Sequence, residues 1–218
     1  MKILITGVGG PLGKKIVSSL LKNNYEVVAI SRSASSLESH KNLITIDANL
    51  GNKEEVFRVA ETISNYDIKT FIANSTGGSQ NNILKNDEYL WENWHYGLSV
   101  EVLSQLIFIK TLAKNMQNSS GQVINITSLA GHYPESGSYA YGAAKAASSY
   151  LTKLVNSELP FMRSTEVVLG TLYDEDRKIE ASVDMDDVVK AILFLINTSN
   201  NVKIPKIEMM NIHQRPYI

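Results

Sequence analysis

Apolar residues follow two rhythms along this chain, and the rhythms alternate. Short unbroken runs, "KILIT" (2–6), "YEVVAIS" (25–31), "NLITID" (42–47), "IKTFIANS" (68–75), "GQVINITS" (121–128), "STEVVLG" (164–170) and "KIEMMNI" (206–212), read as strands buried on both faces. Between them the spacing turns helical. Leu12, Ile16 and Leu20 recur before Asn23-Asn24, and Val56, Val59, Ala60 and Ile63 share one face of 52–66. Helices are also expected from about Asn86 to Gln117, with a break near Trp94, from about Ser138 to Leu159, and over 183–199. Strictly alternating strands and helices imply right-handed crossovers. The expected fold is therefore an α/β doubly wound parallel sheet of the Rossmann type, with about seven strands and helices on both faces. It is read as one dinucleotide-binding domain over 1–218, with a short substrate-side segment at about 170–183.

Composition narrows the partners. The chain has 218 residues, 44% hydrophobic and 20% charged, with a formal net charge of −1. That charge offers no field to gather nucleic acid or an anionic membrane, so neither is expected as a partner. There is no cysteine, which fits a reducing compartment. The apolar start meets Gly7 early, too soon for a signal peptide. A cytoplasmic location is expected. No His or Asp/Glu cluster accompanies His132, so no metal site is expected.

The first strand leads into "TGVGGPLG", Thr6 to Gly13, where Gly7, Gly10 and Gly13 form G-x-x-G-x-x-G. A dinucleotide site needs a sharp turn here, close backbone approach to a phosphate, and a helix N-terminus aimed at the anion. Pro11 suits a first-turn position, where no N–H partner is lost, with Leu12 beside it. A glycine pattern alone is a weak sign, but this one lies in the first strand-to-helix turn. The second strand ends "AISRS". An NAD site wants a carboxylate near this point, but Ser31, Arg32 and Ser33 stand there instead. A guanidinium between hydroxyls suits a ribose 2′-phosphate, so NADP(H) is favoured over NAD(H). Asp47, followed by Ala48, is placed to accept from the adenine amine, and Asp47 or Asn49 to cap the next helix.

Two tyrosines and a lysine lie close together in "GSYAYGAAK". Four helical residues advance about 400°, so Tyr141 and Lys145 stack one above the other, whereas Tyr139 points elsewhere. A free phenol is a poor acid or base near neutrality, and a nearby ammonium favours its ionised form. The pair suits proton exchange with a carbonyl/alcohol couple. Ser128 leaves the fifth strand thirteen residues before Tyr141, on the ligand side of such a sheet.

Taken together, "TGVGGPLG", the "ID" after the third strand, "NSTG" (Asn74 to Gly77), "VINITSLAG" and "YGAAK" resemble the short-chain dehydrogenase/reductase family over nearly the whole chain. The resemblance implies Tyr141 as acid/base, Lys145 as the group that activates it and holds the nicotinamide ribose, and Ser128 as the group that orients the substrate oxygen. It also implies cofactor contacts from Asn74, Ser75 and Gly77, and a homodimer or homotetramer paired through the long helix and the Tyr141 helix, with Leu106, Ile107, Leu151 and Leu154 as candidate residues. The chain departs from the pattern in several places. Pro11 stands at the middle glycine, Ser75-Thr76 replace the usual residues, and Leu169-Gly170 replace the usual Pro-Gly. The family's fourth catalytic residue, an Asn seven residues after a Trp, is Glu101 here, counted from Trp94. That carboxylate either keeps a water-mediated path to Lys145 or pairs with it directly, which would weaken the lysine's pull on Tyr141. His132, Tyr133 and Tyr173 are candidate substrate-wall residues. The expected activity is hydride transfer between NADP(H) and a small carbonyl or alcohol. The alternatives are a cofactor-binding sensor or scaffold, and a dehydratase- or epimerase-type reaction on the same site.

Overall fold

A computed structural model describes residues 1–77, 90–117, 120–173 and 182–214. The strands are β1 (Lys2–Thr6), β2 (Glu26–Ser31), β3 (Leu43–Asp47), β4 (Ile68–Ala73), β5 (Gln122–Ser128), β6 (Arg163–Leu169) and β7 (Lys206–Met209). The helices are α1 (Pro11–Lys22), α2 (Lys53–Ser64), α3 (Leu90–Leu98), α4 (Ser104–Met116), α5 (Tyr139–Glu158) and α6 (Met185–Asn197). All seven strands pair in parallel, in the order β3-β2-β1-β4-β5-β6-β7. The order reverses between β1 and β4, which opens a crevice at the strands' C-terminal ends.

Strand periodicity divides the core into two layers. Leu4, Val28, Phe71 and Val123 face α2, α4 and α5, whereas Ile3, Ile5, Ile72 and Ile124 face α1 and α6. Both faces are covered, which is why the strands read as unbroken apolar runs. At the sheet's edge β7 alternates exposed and half-buried residues.

Local signals set the helix starts. Pro11 opens α1 directly after Gly10. Asn52 caps α2, its side chain accepting from the Glu55 N–H at 2.9 Å. Asp184 caps α6 by accepting from the Asp186 N–H at 2.8 Å. The long helical stretch departs from expectation. Its irregularity is a π segment at Ser99–Leu103, after Trp94, and the chain runs through it without a break. The expected start near Asn86 lies outside the described residues. Trp91–Met116 is also the one stretch among the described residues long and apolar enough to cross a membrane, but 56% of its most apolar window is buried in this fold. Its apolar side includes Phe108 and Leu112, which pack in the α2, α4 and α5 layer.

Candidate active site

A cavity of about 760 Å³ runs along the C-terminal ends of the strands, within the range of small-ligand and cofactor pockets. At one end stands the glycine turn. Gly7 has φ +74°, and a Cβ on it would lie 2.6 Å from the Asn74 carbonyl oxygen. A Cβ on Gly13 would lie 2.3 Å from the Gly7 carbonyl oxygen. Only glycine fits either position, because the turn is squeezed between β4 and its own helix. Thr6 Oγ1 fastens this corner, accepting from the N–H groups of Asn74 (3.2 Å) and Ser75 (3.3 Å). The Asn74 side chain donates to the Gly7 carbonyl at 3.0 Å. With the first turn of α1 opening here, its unpaired N–H groups make an anion-binding end.

Gly7, Gly10, Pro11, Leu12 and Gly13 line the cavity, as do Ser31, Arg32, Ser33, Ala48, Asn74 and Ser75. Among the described residues Arg32 makes no ion pair, and its side chain is exposed. Thr6 and Gly77 are off the lining. Asp47 is also off the lining. Both its carboxylate oxygens are taken by Ser35, from the N–H at 2.8 Å and from the hydroxyl at 2.6 Å. Those two bonds hold its carboxyl below the usual carboxylate range.

At the other end, β5 delivers Ser128 and α5 delivers Tyr141 and Lys145, all on the same cavity wall. A polar seam sets the register between these elements. Asn125 Nδ2 on β5 is 2.9 Å from the Ser148 carbonyl oxygen and from Thr152 Oγ1 on α5. Lys145 Nζ donates to the Ile126 carbonyl at 3.0 Å and lies 5.8 Å from the centre of the Tyr141 ring. Its third neighbour is Glu101 Oε2, also at 3.0 Å. Of the two arrangements open to Glu101, the structure has the direct pair. Burial pushes the Lys145 ammonium down, but Glu101 and then Tyr141 outweigh it and hold the group above its ordinary value. Glu101 itself is fully buried and stands behind the wall.

The three expected substrate-wall residues separate. Tyr133 lines the cavity. His132 turns away to Glu166 Oε1 at 2.8 Å, and Thr127 donates to the same oxygen at 2.7 Å. Burial pushes the Glu166 carboxyl up, but the Thr127 and His132 side chains outweigh it and hold it below the usual range. Tyr173 is 46% exposed and off the lining, and residues 174–181 of the expected substrate-side segment lie outside the described residues. Sequence reasoning missed Tyr96, Met185 and Gln214, which also line the cavity. The Gln214 amide spans Thr171, accepting from its N–H and donating to its hydroxyl, each at 3.2 Å. No local motif marks it, because the contact reaches 43 residues along the chain.

A family model described as short chain dehydrogenase matches residues 1–168. The chain belongs to the short-chain dehydrogenase family. An uncharacterized oxidoreductase of Staphylococcus epidermidis is 27% identical over 210 residues, covering 87% of this chain and 89% of that one. An uncharacterized oxidoreductase of Staphylococcus aureus is 26% identical over 226 residues, covering 94% of each. Solved structures share the fold. An alcohol dehydrogenase from Thermococcus sibiricus complexed with 5-hydroxy-NADP aligns with a TM-score of 0.87 at 18% identity, covering 100% of this chain and 99% of that one. A 4-hydroxyisoleucine dehydrogenase complexed with NADH aligns with a TM-score of 0.85 at 18% identity, covering 95% and 96%. Within this short-chain dehydrogenase, the unusual feature of the cavity is the carboxylate behind Lys145.

Proposed function

We propose that this short-chain dehydrogenase is an NADP-dependent oxidoreductase acting on a small carbonyl or alcohol, with Tyr141 as acid/base. One observation carries the reading: the glycine turn and the Ser128, Tyr141 and Lys145 side chains line a single cavity. The α1 N-terminus would hold the pyrophosphate of a dinucleotide, Arg32, Ser31 and Ser33 would hold its ribose 2′-phosphate, and Lys145 would hold its second ribose. When bound, the nicotinamide supplies the hydride in reduction and accepts it in oxidation. The Ser128 hydroxyl donates to the substrate oxygen and orients it. Tyr141 gives its phenolic proton to that oxygen as the carbon is reduced, and takes a proton back in the reverse reaction. The Tyr141 phenolate left by reduction regains a proton from water entering the cavity mouth.

The test is turnover. Purified protein mixed with NADPH and a panel of ketones and aldehydes should oxidise the cofactor. Tyr141→Phe should cut the rate by about 100-fold or more, the usual scale for a lost acid/base. Equal rates in the two proteins would contradict the assignment. The Glu101–Lys145 pair favours a second reading, a cofactor-binding sensor, which predicts tight NADPH binding with no turnover on any substrate. We also place the protein in the cytoplasm as a homodimer or homotetramer. Leu103 (52% exposed), Leu106 (43%) and Tyr150 (66%) on the π segment, α4 and α5 support the oligomer. Leu151, by contrast, is buried in the core.

A further inference from the structure

We infer that Glu101 is a positioning residue that holds and neutralises the Lys145 ammonium, so that Tyr141 keeps its proton and the centre is set for carbonyl reduction. The inference rests on the reading of Tyr141 as acid/base. Four observations meet on it. Glu101 has no solvent exposure, and Lys145 Nζ stands 3.0 Å from its Oε2. Among the described residues Lys145 is the only cation paired with it, and neither of its carboxylate oxygens has a hydrogen-bond partner, so the contact is one of charge. Removing a carboxylate from water is costly, and such a group is normally kept only with a close counter-charge. The residue lies at the centre of the π segment Ser99–Leu103. Such one-turn irregularities collect at functional sites, because the extra residue re-aims a side chain. Finally, the pair sits in the polar seam: one turn on from Glu101, Gln105 Oε1 accepts from Ser148 Oγ at 3.3 Å, beside Asn125. α4 and α5 therefore hold the two charges in fixed register.

The electrostatic consequence follows from Coulomb's law. An ammonium alone at the phenol favours the ionised ring; an ammonium with a carboxylate against it presents a dipole, whose field falls off faster. A phenol that keeps its proton is the form needed to protonate a carbonyl oxygen. The ionised form is the one needed to accept a proton from an alcohol. The pair thus extends reduction toward alkaline pH and pushes oxidation higher. The other titratable side chains of the cavity wall are Arg32, Tyr96, Tyr133 and Glu135. α3, packed against the π segment, adds His95, and α5 adds Tyr139, whose buried hydroxyl has no hydrogen-bond partner among the described residues. His132 and Glu166 are occupied with each other.

The experiment uses Glu101→Gln, Glu101→Asn and Glu101→Asp, with Tyr141→Phe as the blank. Two readouts are followed: the pH dependence of carbonyl reduction with NADPH, and the tyrosinate absorbance of the cofactor-free protein, where the step missing in Tyr141→Phe belongs to Tyr141. In both neutral variants the alkaline limb of reduction and the Tyr141 absorbance step should move down together by about one pH unit, the low end for an unshielded neighbouring charge. Glu101→Asp, which keeps the charge, should stay near wild type. A step that does not move in folded Glu101→Gln or Glu101→Asn overturns the inference, as does an equal move in Glu101→Asp. The absorbance titration needs no turnover. A protein that reduces no carbonyl yet shows the shift would sink the proposed activity and leave the role of Glu101 standing.

Discussion

Two carboxylates are buried beside the cavity, and they are used differently. Glu101 meets a lysine whose ammonium reaches the cavity wall. Glu166 meets His132 and Thr127 and binds the loop after Ser128 to β6, away from the wall. The first pair joins a carboxylate to a lysine ammonium. The second is built from hydrogen bonds and includes a ring whose charge depends on pH. In the proposed reading one carboxylate acts on the chemistry through Lys145, and the other holds the strand end that presents Ser128. Their shared burial conceals this: only the partner tells the two roles apart.

Removing a partner separates the two carboxylates most clearly. Lys145→Met strands a buried carboxylate and should cost about 3–5 kcal/mol of stability. Adding Glu101→Gln to it should recover much of that loss, as chemical denaturation of the single and double variants would show. If Lys145→Met is as stable as wild type, Glu101 is not held as an ion pair. Glu166→Gln should cost less, about 1–3 kcal/mol, because hydrogen bonds rather than an ammonium are lost.

The pairs should also fail at opposite ends of the pH scale. Glu166 is held below its ordinary value of 4.5. Its contribution is complete above that value and is lost as pH falls through the lower folded one. Lys145 is held above its ordinary 10.5, so its contribution is complete below 10.5 and is lost only as pH rises past the folded value. Melting temperature followed across pH should therefore fall in acid for the wild type and less steeply for Glu166→Gln. An identical acid slope would remove Glu166 from the account.

Smaller effects sharpen the contrast between site and surface. Arg32→Ala should weaken NADPH binding by about tenfold or more, the worth of a charge-assisted phosphate contact, and leave NADH nearly unchanged. Equal weakening would remove the phosphate assignment. Leu106→Asp should lower the molecular mass measured by light scattering while leaving the monomer folded. An unchanged mass would place the oligomer contact elsewhere.

Much of this was legible in the chain because it is local. "KILIT" followed by glycines, and Tyr141 four residues before Lys145, carry their geometry in their spacing. What stayed hidden depends on distant partners. Asp47 reads as a carboxylate at the end of β3, and only the fold shows Ser35 bonded to both its oxygens. His132 reads as a wall residue until Glu166, 34 residues on, takes its ring. Gln214 has no motif and reaches the cavity only because the chain after β7 folds back onto Thr171. The π segment was expected as a break near Trp94, since apolar spacing does not distinguish a widened turn from an interrupted one. For Glu101, its position relative to Trp94 could be counted, but the choice between a direct and a water-mediated partner needed the helix register.

The most direct measurement is a structure of the protein with NADPH bound. The pyrophosphate should lie on the Gly7–Gly13 turn, the 2′-phosphate on Arg32, and the nicotinamide against Ser128 and Tyr141. A dinucleotide seated away from that turn, or a nicotinamide turned from Tyr141, would contradict the proposed function.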